Sequence, residues 1–292
     1  MCRLFGFRSV ITSQVHSSLI HAENALMDQS KKHPDGWGIA YYIEKNPHLI
    51  RSALSAIDDH LFEKISGVVS SQTVLAHIRN GTQGINNILN THPFQYGPWV
   101  FAHNGNIKNL DGIKDKLIAK ISPRLKRFIL GNTDSEIIFY VILSYLEKDI
   151  PLDKREILFD EILNPIKEAL LFITSLTGPL LDYNETIPTE NYLSFILTNG
   201  SLFLGFQGGQ SLKYCTHKTQ CPERDNCPHF AHSCENPSKD KENINHLILT
   251  SEEIKGVNVW SELAPGELVG VDHNMNLRLE KLPIQFEKRI KK

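Results

Sequence analysis

Apolar residues in this chain fall into two groups of short alternating or continuous runs, each bordered by stretches in which they recur every three or four positions. Trp37 to Ile43 and Val68 to Ile78 are rich in aromatic and β-branched residues and read as strands. Trp99 to His103 is a third, closed by the turn-forming Asn104-Gly105. Leu193 to Phe206 reads as a hairpin turning at Asn199-Gly200, and residues 246–251 and 267–282 supply further strands. Helical spacing marks Val15 to Lys32, where Val15, Leu19, Ala22, Leu26 and Met27 share a face until His33-Pro34-Asp35-Gly36 ends the segment. A second helix is expected to start at Thr133, because Thr133 followed by Glu136 is a capping-box pattern ahead of the apolar run Ile137 to Leu146. Lys154 to Leu176 reads as another helix, bent at Pro165. Strands flanked by helices in two clusters imply a layered α+β domain.

With 292 residues the chain is long enough to bury about three quarters of its unfolded surface as one unit. A formal charge of −2 supplies no general attraction to nucleic acid or anionic membrane, so neither is expected as a partner. No apolar run approaches the roughly 18 residues needed to span a bilayer. The N-terminus lacks the basic start, apolar stretch and small-residue cleavage site of a secretory signal, and the expectation is a cytoplasmic protein. Disulfides are uncommon there. The five cysteines divide unevenly: Cys2 stands alone, and Cys215, Cys221, Cys227 and Cys234 cluster in a polar stretch.

Position 2 matters chemically because removal of Met1 would make Cys2 the N-terminal residue. An α-amino group titrates near pH 8 and a thiol near 8.5, so the amine can take the thiol proton, directly or through one water. The thiolate can then attack a carboxamide carbonyl to give a thioester that water resolves. A cysteine at position 2 carries little weight by itself. Three further segments add to it: Ala76-His77-Ile78-Arg79-Asn80-Gly81-Thr82-Gln83-Gly84; Asn90-Thr91-His92-Pro93-Phe94 with Phe101-Ala102-His103-Asn104-Gly105-Asn106; and Gly131-Asn132-Thr133-Asp134-Ser135-Glu136.

With these segments in order, the chain closely resembles the class II glutamine amidotransferase domain. The start Cys2-Arg3-Leu4-Phe5-Gly6, with Asp35-Gly36-Trp37-Gly38 and Val259-Trp260-Ser261-Glu262-Leu263-Ala264-Pro265-Gly266-Glu267, resembles its small stand-alone branch. That branch includes bacterial YafJ-type proteins and γ-glutamyl amidohydrolases. The resemblance runs from residue 2 to about 275 and implies a four-layer αββα sandwich of the N-terminal nucleophile hydrolase type. It also implies one domain over residues 2–280; the composition marks an inserted Cys/His-rich loop over 215–245 and a basic tail over 281–292.

Residue by residue, the resemblance implies that Cys2 is the nucleophile and that Arg79 grips the α-carboxylate of a glutamine or γ-glutamyl group, a task suited to a bidentate guanidinium. Thr82 would help hold that carboxylate. Asp134 would pair with the α-ammonium, and as a bland alternative is a helix N-terminal acid favoured by the helix dipole. Asn104 and Gly105 would form the oxyanion hole, through a side-chain amide and a backbone N–H. His77, His92 and His103 read as structural neighbours, since the α-amine supplies the base. No cofactor is expected for catalysis. Sugar-aminating relatives carry Trp-Ala-Thr-His-Gly after the arginine where this chain has Asn80-Gly81-Thr82-Gln83-Gly84, so acceptor identity does not transfer from them.

The clustered cysteines read Cys215-x5-Cys221-x5-Cys227-x-His229-x2-His232-x-Cys234. Thiolates and imidazoles are zinc ligands, so Cys215, Cys221, Cys227 and Cys234, with His229 and His232 as further donors, form a candidate structural zinc site. Iron–sulfur ligation, reduced thiols and disulfides stay open, because the spacing is not that of a regular zinc knuckle. Three functions follow: hydrolysis of glutamine or another γ-glutamyl amide, supply of ammonia to a separate synthase partner, and a non-enzymatic metal-binding scaffold. The combination of Cys2, Arg79, Asn104, Gly105 and Asp134 favours the first.

Overall fold

In the computed structural model the described residues are 2–14, 17–22, 24–81, 84–182, 187 and 189–288. Along the chain the strands are β1 (Arg3–Gln14), β2 (Trp37–Ile43), β3 (Asn46–Ser52), β4 (Ser70–Ile78), β5 (Phe94–Tyr96), β6 (Trp99–Asn106), β7 (Leu180–Asp182) and β8 (Tyr192–Thr198). They continue as β9 (Phe203–Phe206), β10 (Lys213–Cys215), β11 (His246–Thr250), β12 (Ser261–Glu262), β13 (Glu267–Val271), β14 (Leu277–Lys281) and β15 (Phe286–Lys288). The helices are α1 (Leu26–Gln29), α2 (His60–Val68), α3 (Leu110–Lys120), α4 (Pro123–Lys126), α5 (Asp134–Leu146) and α6 (Phe159–Thr177).

Two antiparallel sheets stack face to face. One has the order β12-β10-β11-β1-β4-β2-β3 and the other β14-β13-β9-β8-β6-β5. Strand side chains alternate between faces, and the core follows that rule. Leu4, Ala40 and Leu75 of the first sheet meet Val100, Ala102 and Ile196 of the second in the layer between the sheets. Their chain neighbours Phe5, Ile39 and Val74 point the other way, onto Leu19, Leu26 and Phe62 of the outer helical segments. Phe101 of the second sheet likewise faces α3, α5 and α6. The result is the αββα sandwich.

The outer layers differ in thickness. Every residue of α5 is buried, so this helix is apolar on all sides and lies within the core. On the opposite side, Trp37 packs edge-to-face on Phe62 at 5.0 Å and donates from Nε1 to Asp59 Oδ2 at 3.0 Å. Asp59 also caps α2 by accepting from the Leu61 N–H. No helix among the described residues is long and apolar enough to cross a membrane.

Several expectations need correction. The helix expected from Val15 to Lys32 is broken into a π-turn at Ser17–His21, the short α1, and a 3₁₀ turn at Ser30–Lys32. Asn24 adopts φ +62, which no continuous helix tolerates, and Val15 lies outside the described residues. Val68 ends α2 and does not begin β4. The helix expected from Lys154 begins only at Phe159. Asn104-Gly105 is no turn: β6 runs through it, with Asn104 opposite Ser194 and Gly105 opposite Leu193. The segment expected as a basic tail pairs in part, because β15 runs parallel to β7 with Lys288 opposite Asp182; Arg289, Lys291 and Lys292 lie outside the described residues.

Candidate active site

β1 begins one residue after Cys2 and lies in the centre of the first sheet, between β11 and β4. The register places Arg3 opposite Ile78, which brings Cys2 beside the chain leaving β4. Cys2 Sγ accepts the Asn80 N–H at 3.2 Å and lies 3.4 Å from the Asn80 carbonyl, to which the thiol can donate. Burial pushes the thiol up, against the opposing pull of the Asn80 N–H. A thiol held this way stays protonated near neutrality and needs a base to become a nucleophile.

Arg79 is buried, and the turn ahead of β2 grips its backbone from both sides. Its N–H donates to Gly36 O at 2.8 Å, and its carbonyl accepts the Asp35 N–H at 3.2 Å. Asp35 Oδ2 then accepts the Gly81 N–H at 2.8 Å. Gly81 passes close over the guanidinium: a Cβ there would lie 2.7 Å from the Arg79 Nη2 and the arginine side chain would have to shift. Asp35 and Gly81 thus hold the arginine, a role the sequence shows only as a turn near the site. Thr82 lies outside the described residues.

Asp134 is the first residue of α5, capped by Thr133, whose hydroxyl accepts the Glu136 N–H at 3.3 Å. The reciprocal half of the capping box is absent among the described residues. Glu136 instead takes the Leu130 and Gly131 N–H groups, at 3.0 and 2.7 Å. Asp134 is buried, with Oδ2 accepting the Ile107 N–H at 2.8 Å and Oδ1 the Ser135 N–H at 2.7 Å. Asn104 is buried too, and its Oδ1 has no hydrogen-bond partner among the described residues. Gly105 allows β6 to pass its neighbours closely, since a Cβ would lie 2.1 Å from His103 Nε2 and 2.2 Å from Tyr192 O.

One pocket is lined by Cys2, Arg79, Gly105 and Asp134, together with Asn80, Gly81, His92, His103, Thr133 and Ser135. Asn104 stands next to it without lining it. A layer of buried imidazoles adjoins this pocket. The His77 and His92 rings lie 4.2 Å apart, tilted by 32°, and burial drives His77 down to about 3 and His92 well below its usual value. His103 is lowered by the same cause; its Nε2 faces Tyr192 O at 3.2 Å and its Nδ1 faces the Ser135 hydroxyl at 2.9 Å. These histidines are neutral at pH 7, poor in charge and well packed, which suits a lining more than a proton relay.

The cysteines of the polar loop do not join this site. Cys215 is buried with its thiol donating to His217 O at 3.0 Å, and Cys234 is buried with Sγ accepting from Asn245 Nδ2 at 3.0 Å. All five cysteines are free thiols. Among the described residues no three His, Cys, Asp or Glu side chains gather as a metal-holding group, and this includes Cys221, Cys227, His229 and His232.

A model of the class-II glutamine amidotransferases matches residues 1–289. The protein of Saccharomyces cerevisiae named "Probable glutamine amidotransferase DUG3" is 32% identical over 165 residues, which cover 51% of this chain and 46% of that one. A γ-glutamyl-hercynylcysteine sulfoxide hydrolase of Mycobacterium tuberculosis is 31% identical over 115 residues, 36% of this chain and 49% of its own. The chain thus spans less than half the length of these curated relatives. The structure of a glutamine aminotransferase class-II domain protein from Silicibacter pomeroyi superposes with a TM-score of 0.59 at 17% identity, covering 96% of this chain and 99% of that one. That likeness speaks to the fold.

Proposed function

The chain belongs to the class-II glutamine amidotransferases, and from that premise we propose that it hydrolyses glutamine or a larger γ-glutamyl amide through a thioester on Cys2. Membership supports an amide hydrolase or transferase. The observation that carries the finer reading is the meeting of Cys2, Arg79, Gly105 and Asp134 in one pocket, although they come from four separate stretches of chain.

In this reading Arg79 binds the substrate's α-carboxylate and Asp134 its α-ammonium, so the γ-carbonyl reaches toward Cys2. With Met1 removed, the free α-amine takes the thiol proton and sulfur bonds to the carbonyl carbon. The carbonyl oxygen becomes an oxyanion that the Gly105 N–H and the Asn104 side chain stabilise; each such donor can contribute about 3 kcal/mol. Collapse breaks the C–N bond, and the amine leaves with the proton held by the α-amine. Water, deprotonated by the same amine, then attacks the thioester, releasing a γ-carboxylate and returning the proton to sulfur. The buried thiol, shifted upward, makes that base necessary.

The test is a screen of glutamine and γ-glutamyl compounds against Met-processed wild type and Cys2→Ala. The expected result is turnover of at least one compound by wild type and none by the variant. Folded, processed wild type that turns over nothing sinks the hydrolase reading. Turnover appearing only after a synthase partner is added would instead identify an ammonia-supplying subunit.

A further inference from the structure

Asn90 and Asn132 belong to different motif segments, 42 positions apart, yet their side chains interlock. Asn90 is 1% exposed. Its Nδ2 donates to Asn132 Oδ1 at 2.7 Å and to Ile85 O at 2.9 Å, while its Oδ1 accepts the Asn132 N–H at 3.0 Å. Both donors of the amide are used, as a buried amide requires. Glycines flank the pair on two sides. A Cβ at Gly84 would lie 2.6 Å from Asn132 Oδ1, and one at Gly131 would lie 2.5 Å from Asn90 Oδ1. Gly84 also holds φ +73, a conformation suited to glycine. Glu136 fixes the Leu130-Gly131 turn from the other side.

The two ends of this pair lead to the two charged groups of the pocket. Arg79 Nη2 donates to Gly84 O at 3.5 Å, so Gly84 touches the guanidinium on one side and the amide pair on the other. Asp134 follows Asn132 by two positions, its carboxylate anchored by the Ile107 and Ser135 N–H groups. We infer that the Asn90–Asn132 pair is a spacer that sets the separation between Arg79 and Asp134, and with it the fit of an L-α-amino-acid head group. This rests on the assignment of those two residues to the substrate's carboxylate and ammonium. Asn90 and Asn132 do not line the pocket, so they are positioning residues.

The hydrogen bonds are directional, and that gives an asymmetric prediction. Asn132→Asp keeps an acceptor for Asn90 Nδ2 and leaves the backbone N–H in place. Asn90→Asp loses both donors and sets carboxylate oxygens against Ile85 O and Asn132 Oδ1. Steady-state kinetics on glutamine, with calorimetric binding of L-glutamine to the Cys2→Ala protein, reads the difference. Asn90→Ala and Asn90→Asp are expected to raise KM and Kd about tenfold, with kcat moving less than about threefold and Asn132→Asp remaining within about threefold of wild type. The preference for L-glutamine over glutaramate, which lacks the α-amine, should shrink by a similar factor in the Asn90 variants. Equal effects of Asn90→Asp and Asn132→Asp, or a fall in kcat and Tm with KM and preference unmoved, would overturn the spacer. Arg79→Gln separates the two levels. If it raises KM while the Asn90 variants do not, the spacer alone fails. If it leaves KM and Kd unmoved, or the Cys2→Ala protein binds no L-glutamine, the reading of Arg79 and Asp134 fails and the spacer with it.

Discussion

Four cysteines lie within one stretch of chain from Cys215 to Cys234, whereas Cys2, Arg79, Gly105 and Asp134 are scattered over its first half; the scattered set meets in one pocket, while the clustered set forms no metal-holding group among the described residues. The difference lies in what holds each region. At the Cys2 end, sheet register and buried hydrogen bonds fix backbone that comes from distant segments. The loop's ends are tied by longer-range contacts, Cys215 to Ile248 in the sheet and Thr219 N–H to Val257 O, but its middle is held by local turns, such as Arg224 N–H to Cys221 O and Cys227 N–H to Glu223 O, and by the Arg224–Glu235 ion pair. Such turns order a segment without aiming its side chains at a common point. Closeness in sequence is therefore a poor guide to closeness in a site, and long-range pairing a better one.

The contrast can be broken most directly at the sulfurs. Cys2→Ala is expected to lower turnover roughly a thousandfold or more, whereas Cys227→Ser and treatment with a chelator should leave it within about twofold. A loop variant as damaging as Cys2→Ala would erase the distinction. Next in size, Arg79→Gln should raise KM for glutamine about a hundredfold, the worth of a two-pronged charge-assisted contact; kinetics at saturating glutamine would show whether kcat is spared. Gly105→Ala should cost about 2–4 kcal/mol in urea unfolding, because its Cβ would meet His103 Nε2 and Tyr192 O. An unchanged midpoint would mean that β6 is less constrained than its neighbours imply.

The remaining effect concerns pH. His77 is held at about 3 and His246 also at about 3, against 6.5 when unfolded. The unfolded chain then binds more protons than the folded one over that interval. Stability supplied by keeping these rings neutral is complete above about pH 6.5 and declines as the pH falls below it toward the folded-state values. Unfolding free energies measured from pH 7.5 to 4.5 should fall accordingly. The activity profile should lack an inflection near 6.5 and rise instead with the α-amine; an inflection there that His103→Asn removes would give that ring a proton-transfer role.

Much of this was legible in the residues. Trp37 to Ile43 reads as a strand and is one, because its aromatic and β-branched side chains alternate between two buried faces. Thr133 and Asp134 announce the start of α5, since capping is local chemistry. What failed was where distant pairing overrode local preference. Asn104-Gly105 favours a turn, but its partners Ser194 and Leu193 keep it extended. β1 gave no clear signal, because its long run from Arg3 to Gln14 takes its order from β4 and β11 on either side. The Asn90–Asn132 contact was hidden for the same reason.

The central position of β1 has a practical side. Phe5 pairs with Thr250 on one flank and Ala76 on the other, so the first residues cannot swing away without unzipping both neighbours. On the proposed function, anything fused ahead of Cys2, an affinity handle included, turns the α-amine that would act as the base into an amide. Purified material carrying such a fusion can be well folded, soluble and inert at once, and removing the extra residues then becomes part of making the enzyme rather than a matter of tidiness.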